Sequence, residues 1–230
     1  QTSRPFSVCR PGWGWELTLS HRYRHRNRGL PTQHETALLH MDTGVYGRKN
    51  NEGSLTPYFE LWNDAMDKCD ALVAFPATVR RVADYLRPGQ VFLGGGNVLG
   101  RGYLDLAPEE AWLTQLVGKR VLVVHQQAAL MVQRFANATL RKALWPMHPH
   151  ALPEFAAVVG YAPVDALDNT RPIEPDWRAA TTVMCDDIGH LSEDFDVALI
   201  SAGGYGHLLL HCVRHAHGKS AVYVGGALSF

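Results

Sequence analysis

Residues 194–230 read DFDVALISAGGYGHLLLHCVRHAHGKSAVYVGGALSF. Two apolar runs, residues 197–201 and 221–224, flank a glycine-containing turn at residues 202–206 and a histidine-containing segment at residues 207–217. This order is typical of a strand, turn, helix and parallel strand in an α/β sheet. We therefore expect a helix whose amino end faces residues 202–206, which are called the glycine turn below.

Further apolar runs extend the same pattern toward the amino terminus. They fall at residues 6–9, 71–75, 91–93 and 121–125, and the segment SLTPYFELWNDAMDKC from residue 54 has the apolar spacing of a helix. Runs such as VLVVH and DVALIS are apolar throughout, as expected for parallel strands that helices cover on both faces. The sequence predicts an α/β fold, namely a Rossmann-like, doubly wound, mostly parallel sheet with helices on both faces.

Length and composition exclude some classes of protein. The chain has 230 residues, 46% hydrophobic and 19% charged, which suits one large domain over residues 1–230. Its 22 basic and 22 acidic side chains cancel, so no global charge indicates a nucleic-acid partner. No apolar run approaches the roughly 20 residues of a membrane span. Four widely spaced cysteines leave the localisation open between the cytoplasm and the lumen of the secretory pathway.

The glycine turn is a candidate phosphate site. Glycines at the carboxyl end of a parallel strand allow close approach of the backbone, and free N–H groups at the start of a helix attract anions. The spacing is not a full GxGxxG pattern, and a glycine turn between strand and helix is often only structural. Both interpretations stay open on the residues alone.

Three charged or polar groups have competing interpretations. Histidines 207, 211 and 215 share one helical face and can bind zinc, but surface groups are favoured because no HExxH pattern is present. Asp194 and Asp196 can hold a divalent metal, but Asp196 begins a strand, which places it at the amino end of the sheet, away from ligands. The run HRYRHRNR at residues 21–28 favours a solvated loop or a donor-phosphate contact over nucleic acid.

Several segments together carry a family resemblance. They are GKRVLVVH (residues 118–125), LPEF (152–155), FDVALISAGGYG (195–206) and GKSAVYVGGAL (218–228), with Trp177 ahead of an amphipathic segment. In this combination the chain resembles bacterial and viral polysaccharide-locus proteins that are similar to the GT-D class of glycosyltransferases. The resemblance implies a Rossmann-like domain that transfers a sugar from a nucleotide-sugar donor to a glycan or glycoprotein acceptor.

The amino-terminal part of the resemblance lacks one residue. GT-D enzymes carry a pattern like RxGDGE after the first strand, whose Asp and Glu are associated with the metal and the donor diphosphate. The stretch RPGWGWE at residues 10–16 matches Arg10, Gly12 and Glu16 with one insertion, and has no Asp. The resemblance implies Mn²⁺ or Mg²⁺ as a cofactor, but the missing Asp leaves its ligands unidentified and counts against metal-dependent transfer. Enzymatic activity therefore stays open. The alternative is a noncatalytic glycan-binding or assembly module.

The carboxyl terminus is a second departure from the family. There, the last glycine turn continues into a glycine- and basic-rich segment, whereas this chain stops at GGALSF. We expect either a truncated chain or the loss of a segment that helps to close the site.

Candidate site residues follow from the resemblance and from their positions. Asp42 lies just beyond another apolar run. It is a candidate acid or base at the end of a strand, or a plain turn residue. His125, which ends a strand, is a phosphate ligand, a base or a core group. Trp13 and Trp15 either stack on a sugar or base or pack against the first strand. The predicted catalytic residues are Glu16 and Asp42, and the predicted donor-binding residues are Arg10, Gly12, His125, Gly203, Gly204, Tyr205, Gly206, Gly225 and Gly226.

Overall fold

The computed structural model describes residues 4–12, 14–25, 31–46, 55–94, 112–144, 153–164 and 173–228. These residues form a seven-stranded sheet in which every recorded strand pair is parallel, and eight α-helices accompany it. The predicted Rossmann-like α/β fold is confirmed.

The strands and helices alternate along the chain. The strands are β1 (Ser7–Cys9), β2 (Ala71–Ala74), β3 (Val91–Gly94), β4 (Arg120–Val124), β5 (Ala157–Tyr161), β6 (Val197–Ile200) and β7 (Ser220–Tyr223). The helices are α1 (Trp15–His25), α2 (Gln33–Thr43), α3 (Thr56–Lys68), α4 (Val79–Ala83), α5 (Ala128–Ala136), α6 (Ala138–Leu144), α7 (Trp177–His190) and α8 (Gly206–His215). The strand order is β3-β2-β1-β7-β6-β4-β5, so β7 lies between β1 and β6.

Helices cover both faces of the sheet because the strands are apolar on both sides. Successive strand residues point to opposite faces. Accordingly Leu122 packs in the cluster that contains Trp62 of α3 and Trp177 of α7. Its neighbour Val123 packs in a separate cluster with Phe135 of α5 and with the 3₁₀ helix Trp112–Leu116.

The six apolar runs predicted as strands correspond to β1, β2, β3, β4, β6 and β7, with ends that differ by a residue or two. The sequence analysis missed β5, an edge strand that pairs with β4. A β-carbon at Gly160 of β5 would lie 2.9 Å from Val132 and 3.2 Å from Ala128, so this glycine lets α5 pack closely on the strand. Glycine weakens the strand signal of a sequence, which explains the miss.

Local signals fix where α2 begins and ends. Thr32 and Glu35 form a reciprocal capping box at its start, and Gly44, with a φ of 74°, ends it with an N–H bond to the His40 carbonyl. This end of α2 reaches the glycine turn, as the next subsection shows. Within the described residues, no helix has the length and apolar character that crossing a bilayer requires.

Candidate functional site

The predicted site regions share one edge of the sheet. In a parallel sheet the carboxyl ends of all strands meet at the same edge, which is where ligands of open α/β sheets bind. Arg10 directly follows β1, the glycine turn follows β6, and Gly225 follows β7, which separates the other two strands. The structure therefore brings the amino-terminal and carboxyl-terminal parts of the predicted site together.

Arg10 is a buried cation at this edge. The residue is 8% exposed, its guanidinium carbon lies 4.8 Å from the centre of the Phe75 ring, and its Nε has no hydrogen-bond partner among the described residues. Burial lowers the pKa of Arg10, because desolvation disfavours the charged form. A β-carbon at Gly225 would collide with Nη2 of Arg10, so this glycine makes room for the guanidinium.

Glu16, in the first turn of α1, is a buried carboxyl group. It is 4% exposed, and its Oε2 has no hydrogen-bond partner in the described part of the chain. β-Carbons at Gly12 and Gly14 would lie 3.1 Å and 2.6 Å from the two carboxyl oxygens, so both glycines leave space for this group. Burial raises the pKa of Glu16, its own backbone N–H opposes the shift, and the charge of Asp42 adds to it.

Two tyrosines, which the sequence analysis missed, connect these groups to the glycine turn. The hydroxyl of Tyr223 donates to the Gly203 carbonyl at 2.9 Å, and that of Tyr58 donates to the Gly204 carbonyl at 2.9 Å. Burial raises the pKa of Tyr223, the Glu16 charge adds to the shift, and Arg10 opposes it. Arg10, Glu16 and the glycine turn therefore all lie around Tyr223. Its position at the end of the apolar run SAVYV is the one signal that could have identified it.

The glycine turn packs closely against the end of α2. A β-carbon at Gly203 would lie 2.6 Å from the Thr43 carbonyl oxygen, and one at Gly204 would lie 2.8 Å from Thr43 Oγ1. Likewise, one at Gly206 would collide with the ring of Tyr223. The buried Tyr205 donates its hydroxyl to the Gly44 carbonyl at 3.1 Å. The end of α2 and the ring of Tyr223 therefore occupy the space that these glycines leave open.

The turn nevertheless keeps hydrogen-bond donors. The 3₁₀ helix Gly203–Tyr205 leads directly into α8, and the N–H groups of Gly203 and Gly204 have no acceptor among the described residues. Free N–H groups at the start of a helix attract anions.

Three further predicted residues are not buried with Arg10 and Glu16, although the charge of Asp42 reaches Glu16. His125 follows β4, three strands from β1, which is roughly 14 Å at the usual strand spacing. Its Nδ1 accepts from the Gln127 N–H at 2.9 Å, and burial lowers its pKa. Gly226 is exposed in the 3₁₀ helix Gly225–Leu228. Asp42 is exposed in the last turn of α2, so its expected place at a strand end is wrong, because the capped helix continues through the apolar run.

The structure also describes Trp15 and part of the cationic run at residues 21–28. Trp15 is half-buried and packs on the core, whereas Trp13 and residues 26–28 lie outside the described residues. Residues 21–25 belong to α1, so the predicted loop is wrong there. Arg22 pairs with Glu35, and Arg24 pairs with Asp67 at 2.9 Å. These two arginines are neutralised by protein carboxylates, whereas Arg10 forms no ion pair with a described residue.

His207 is a core residue. It is fully buried between the rings of Trp62 and Tyr223, with centroid distances of 5.0 Å and 4.5 Å, so the surface interpretation of its side chain is wrong. Both ring nitrogens lack hydrogen-bond partners among the described residues. Burial, followed by the charge of Arg10, lowers the pKa of His207 to about 3, and the ring is therefore neutral at physiological pH.

The residues around Glu16 do not fit a Mn²⁺ or Mg²⁺ site. Such ions need several oxygen ligands, and within the part of the chain that the structure describes Glu16 belongs to no group of three possible ligand side chains. Among the described residues, groups of three potential metal ligands occur at two other places, Cys185 with Cys212 and His217, and His21 with His25 and Asp84. We therefore assign no step of a reaction to a metal.

The comparisons with known proteins add no relative. No protein-family model, no curated protein and no solved structure matches the chain. The site described above is therefore the basis for any functional proposal.

Proposed function

We propose that the chain is a glycosyltransferase-like domain that transfers a sugar from a nucleotide-sugar donor to a glycan acceptor. The observation that carries the proposal is the pair Arg10 and Glu16, each more than nine-tenths buried and each with a polar atom that has no described partner. Both lie beside the glycine turn at the edge of the sheet where ligands bind.

Arg10 is suited to the diphosphate of the donor. The leaving diphosphate develops negative charge that a cation has to neutralise, and a guanidinium binds phosphate oxygens through two parallel hydrogen bonds. Arg22 and Arg24 are paired with carboxylates, so Arg10 has this role in the proposal. The N–H groups of Gly203 and Gly204 are additional donors to the same phosphates.

Glu16 is suited to proton transfer. A carboxyl group whose pKa burial raises is a stronger base than an exposed one, so Glu16 can take the proton from the attacking hydroxyl of the acceptor. Gly12 and Gly14 leave the space that its carboxyl group occupies. Tyr58 and Tyr223 hold the glycine turn next to it.

Release of nucleoside diphosphate tests the proposal. We expect Glu16→Gln and Arg10→Lys each to lower turnover by about 10²-fold or more, as loss of a proton-transfer group or of a preorganised charge does. Arg120→Lys is the matched control, because Arg120 lies in β4 at the opposite edge of the sheet and should retain full turnover. Undiminished turnover in both site variants would exclude this site.

Thermal shift with a panel of nucleotide sugars identifies the donor. A ligand that binds the folded chain raises its midpoint in proportion to the logarithm of its concentration over Kd. We expect stabilisation by one class of nucleotide sugar, reduced in Arg10→Lys. Because the residues around Glu16 do not fit a divalent-metal site, Mn²⁺ should leave the shift unchanged.

A noncatalytic glycan-binding or assembly module is the second candidate. The observation that favours it is the end of α2, whose Thr43 carbonyl lies where a close ligand contact at Gly203 would be made. Carbohydrate binding without release of nucleoside diphosphate would favour this module over the enzyme.

A further inference from the structure

A second group of reactive side chains lies at the opposite end of α8 from the glycine turn. Cys185 of α7 and Cys212 of α8 form a disulfide with a Cα–Cα distance of 6.1 Å. His217 follows α8 in the turn that leads to β7. The possible ligand atoms of these three residues lie within 4.8 Å of one another, although the residues are separated by up to 32 positions in the chain.

The imidazole of His217 is placed as a metal ligand would be. Its Nε2 lies 3.3 Å from Cys212 Sγ and 3.7 Å from Cys185 Sγ. In a tetrahedral zinc site with Zn–S of about 2.3 Å and Zn–N of about 2.05 Å, the nitrogen and each sulfur are about 3.6 Å apart. The two observed distances lie on either side of that value. For zinc to bind the reduced chain, the two sulfurs would have to separate to about 3.8 Å.

The surroundings also hold the imidazole and leave one coordination position open. A β-carbon at Gly189 of α7 would lie 2.7 Å from Cε1 of His217, so the glycine makes room for the ring. Nε2 also lies 3.0 Å from the Cys185 carbonyl oxygen, and zinc binding at Nε2 would replace the hydrogen bond that a protonated Nε2 makes there. Cys185 and His217 are only half-buried, so water can reach a metal as the fourth ligand.

We propose that Cys185, Cys212 and His217 bind one Zn²⁺ when the disulfide is reduced. Reduction by a phosphine breaks the S–S bond with two electrons and gives two thiols, and the phosphine takes up an oxygen from water to become its oxide. Zinc then binds two thiolates and neutral Nε2. Two thiol protons go to solvent, and the imidazole proton is carried by Nδ1. The oxidised chain has no thiolates at this position and binds no zinc there.

The first test compares the two redox forms of the whole chain. Protein reduced with tris(2-carboxyethyl)phosphine and untreated protein are titrated with Zn²⁺ against a chromophoric chelator and, separately, with Co²⁺. We expect a thiolate-to-cobalt charge-transfer band and one sulfur-bound metal per chain in the reduced form only. The band requires sulfur ligands, so it distinguishes this site from the group His21, His25 and Asp84.

Variants test the ligands. His217→Ala should weaken zinc binding by the reduced chain at least about tenfold, since loss of even an outer partner of a metal ligand costs 10- to 100-fold. His215→Ala is the matched control, because His215 is exposed two positions earlier and should leave binding unchanged. The unchanged thermal midpoint of oxidised His217→Ala would show that it folds.

Two results would overturn the proposal. One is a reduced wild-type chain without the charge-transfer band. The other is a band that does not depend on the proposed ligands. It would either persist in the double variant Cys185→Ser and Cys212→Ser, where Cys9 and Cys69 are the remaining, buried thiols, or be accompanied by an unchanged zinc affinity in His217→Ala.

Discussion

The amino edge of the sheet, where the strands begin, and the carboxyl edge, where they end, differ in the surroundings of their charged side chains. At the amino edge Arg120 of β4 donates to Asp196, just before β6, with 2.7 Å between Nη2 and Oδ1, and both side chains are partly exposed. At the carboxyl edge Arg10 is buried and its Nε has no described partner. A buried nitrogen without a hydrogen-bond partner costs about 1 to 3 kcal/mol. The stability of the fold is therefore reduced at the edge where ligands bind, as is common for functional sites.

The acidic residues of the two edges have opposite pKa shifts. Burial raises the pKa of Glu16, whereas hydrogen bonds from Arg120 lower the pKa of Asp196. The prediction that Asp196 lies at the amino end of the sheet, with a solvated strand entry, is confirmed by this pair. The structure thus contains one carboxyl group that favours folding when protonated and one that favours folding when ionised.

The largest expected difference between the edges concerns two glycines with positive φ. Gly203 at the carboxyl edge has a φ of 52°, and Gly118 before β4 at the amino edge has a φ of 70°. An alanine costs about 1 kcal/mol at either position because L-residues disfavour this conformation. A β-carbon at Gly203 also meets the Thr43 carbonyl oxygen at 2.6 Å, whereas nothing lies within 4 Å at Gly118. We expect Gly203→Ala to lower the free energy of unfolding by about 3 kcal/mol and Gly118→Ala by about 1 kcal/mol.

Urea denaturation of the two variants and the wild type measures this difference. Equal losses for Gly203→Ala and Gly118→Ala would mean that the end of α2 moves away from the glycine turn without cost. In that case the turn would be open to a ligand rather than closed by Thr43.

The sequence predicted the fold better than the site, for physical reasons that particular residues show. Continuously apolar runs identify buried strands, which is why residues 197–201 and 221–224 were placed correctly, whereas Gly160 obscured β5. Arg10 and Glu16 were candidates by resemblance alone. The contact of Tyr223 with the glycine turn was not predicted, because its hydrogen bond to Gly203 spans 20 residues and depends on the neighbouring positions of β6 and β7.

A smaller effect distinguishes the two acidic residues by pH. Because the pKa of Glu16 is raised in the folded chain, its contribution to stability is full below the ordinary value of 4.5 and is lost as pH rises through the folded pKa. Gln cannot ionise, so Glu16→Gln removes this pH-dependent loss of stability. We expect the variant to become more stable than the wild type by about 1 to 2 kcal/mol at neutral pH, and to show no such gain at pH 4. Urea midpoints at several pH values test the trend, and a gain that did not grow with pH would contradict a raised pKa of Glu16 in the folded chain.

The smallest expected effect is at the amino edge and has the opposite sign. The pKa of Asp196 is lowered in the folded chain, so its stabilising contribution is present above the ordinary value of 3.8 and is lost as pH falls below it. The side chain is 38% exposed, so solvent screening leaves its pair with Arg120 only weakly stabilising. Asp196→Asn should therefore be slightly less stable than the wild type at neutral pH, and the difference should disappear as pH falls through the folded pKa of Asp196. The same urea series measures both variants. Added salt should remove the stability difference between Asp196→Asn and the wild type but not that of Glu16→Gln, because salt screens exposed pairs far more than buried groups.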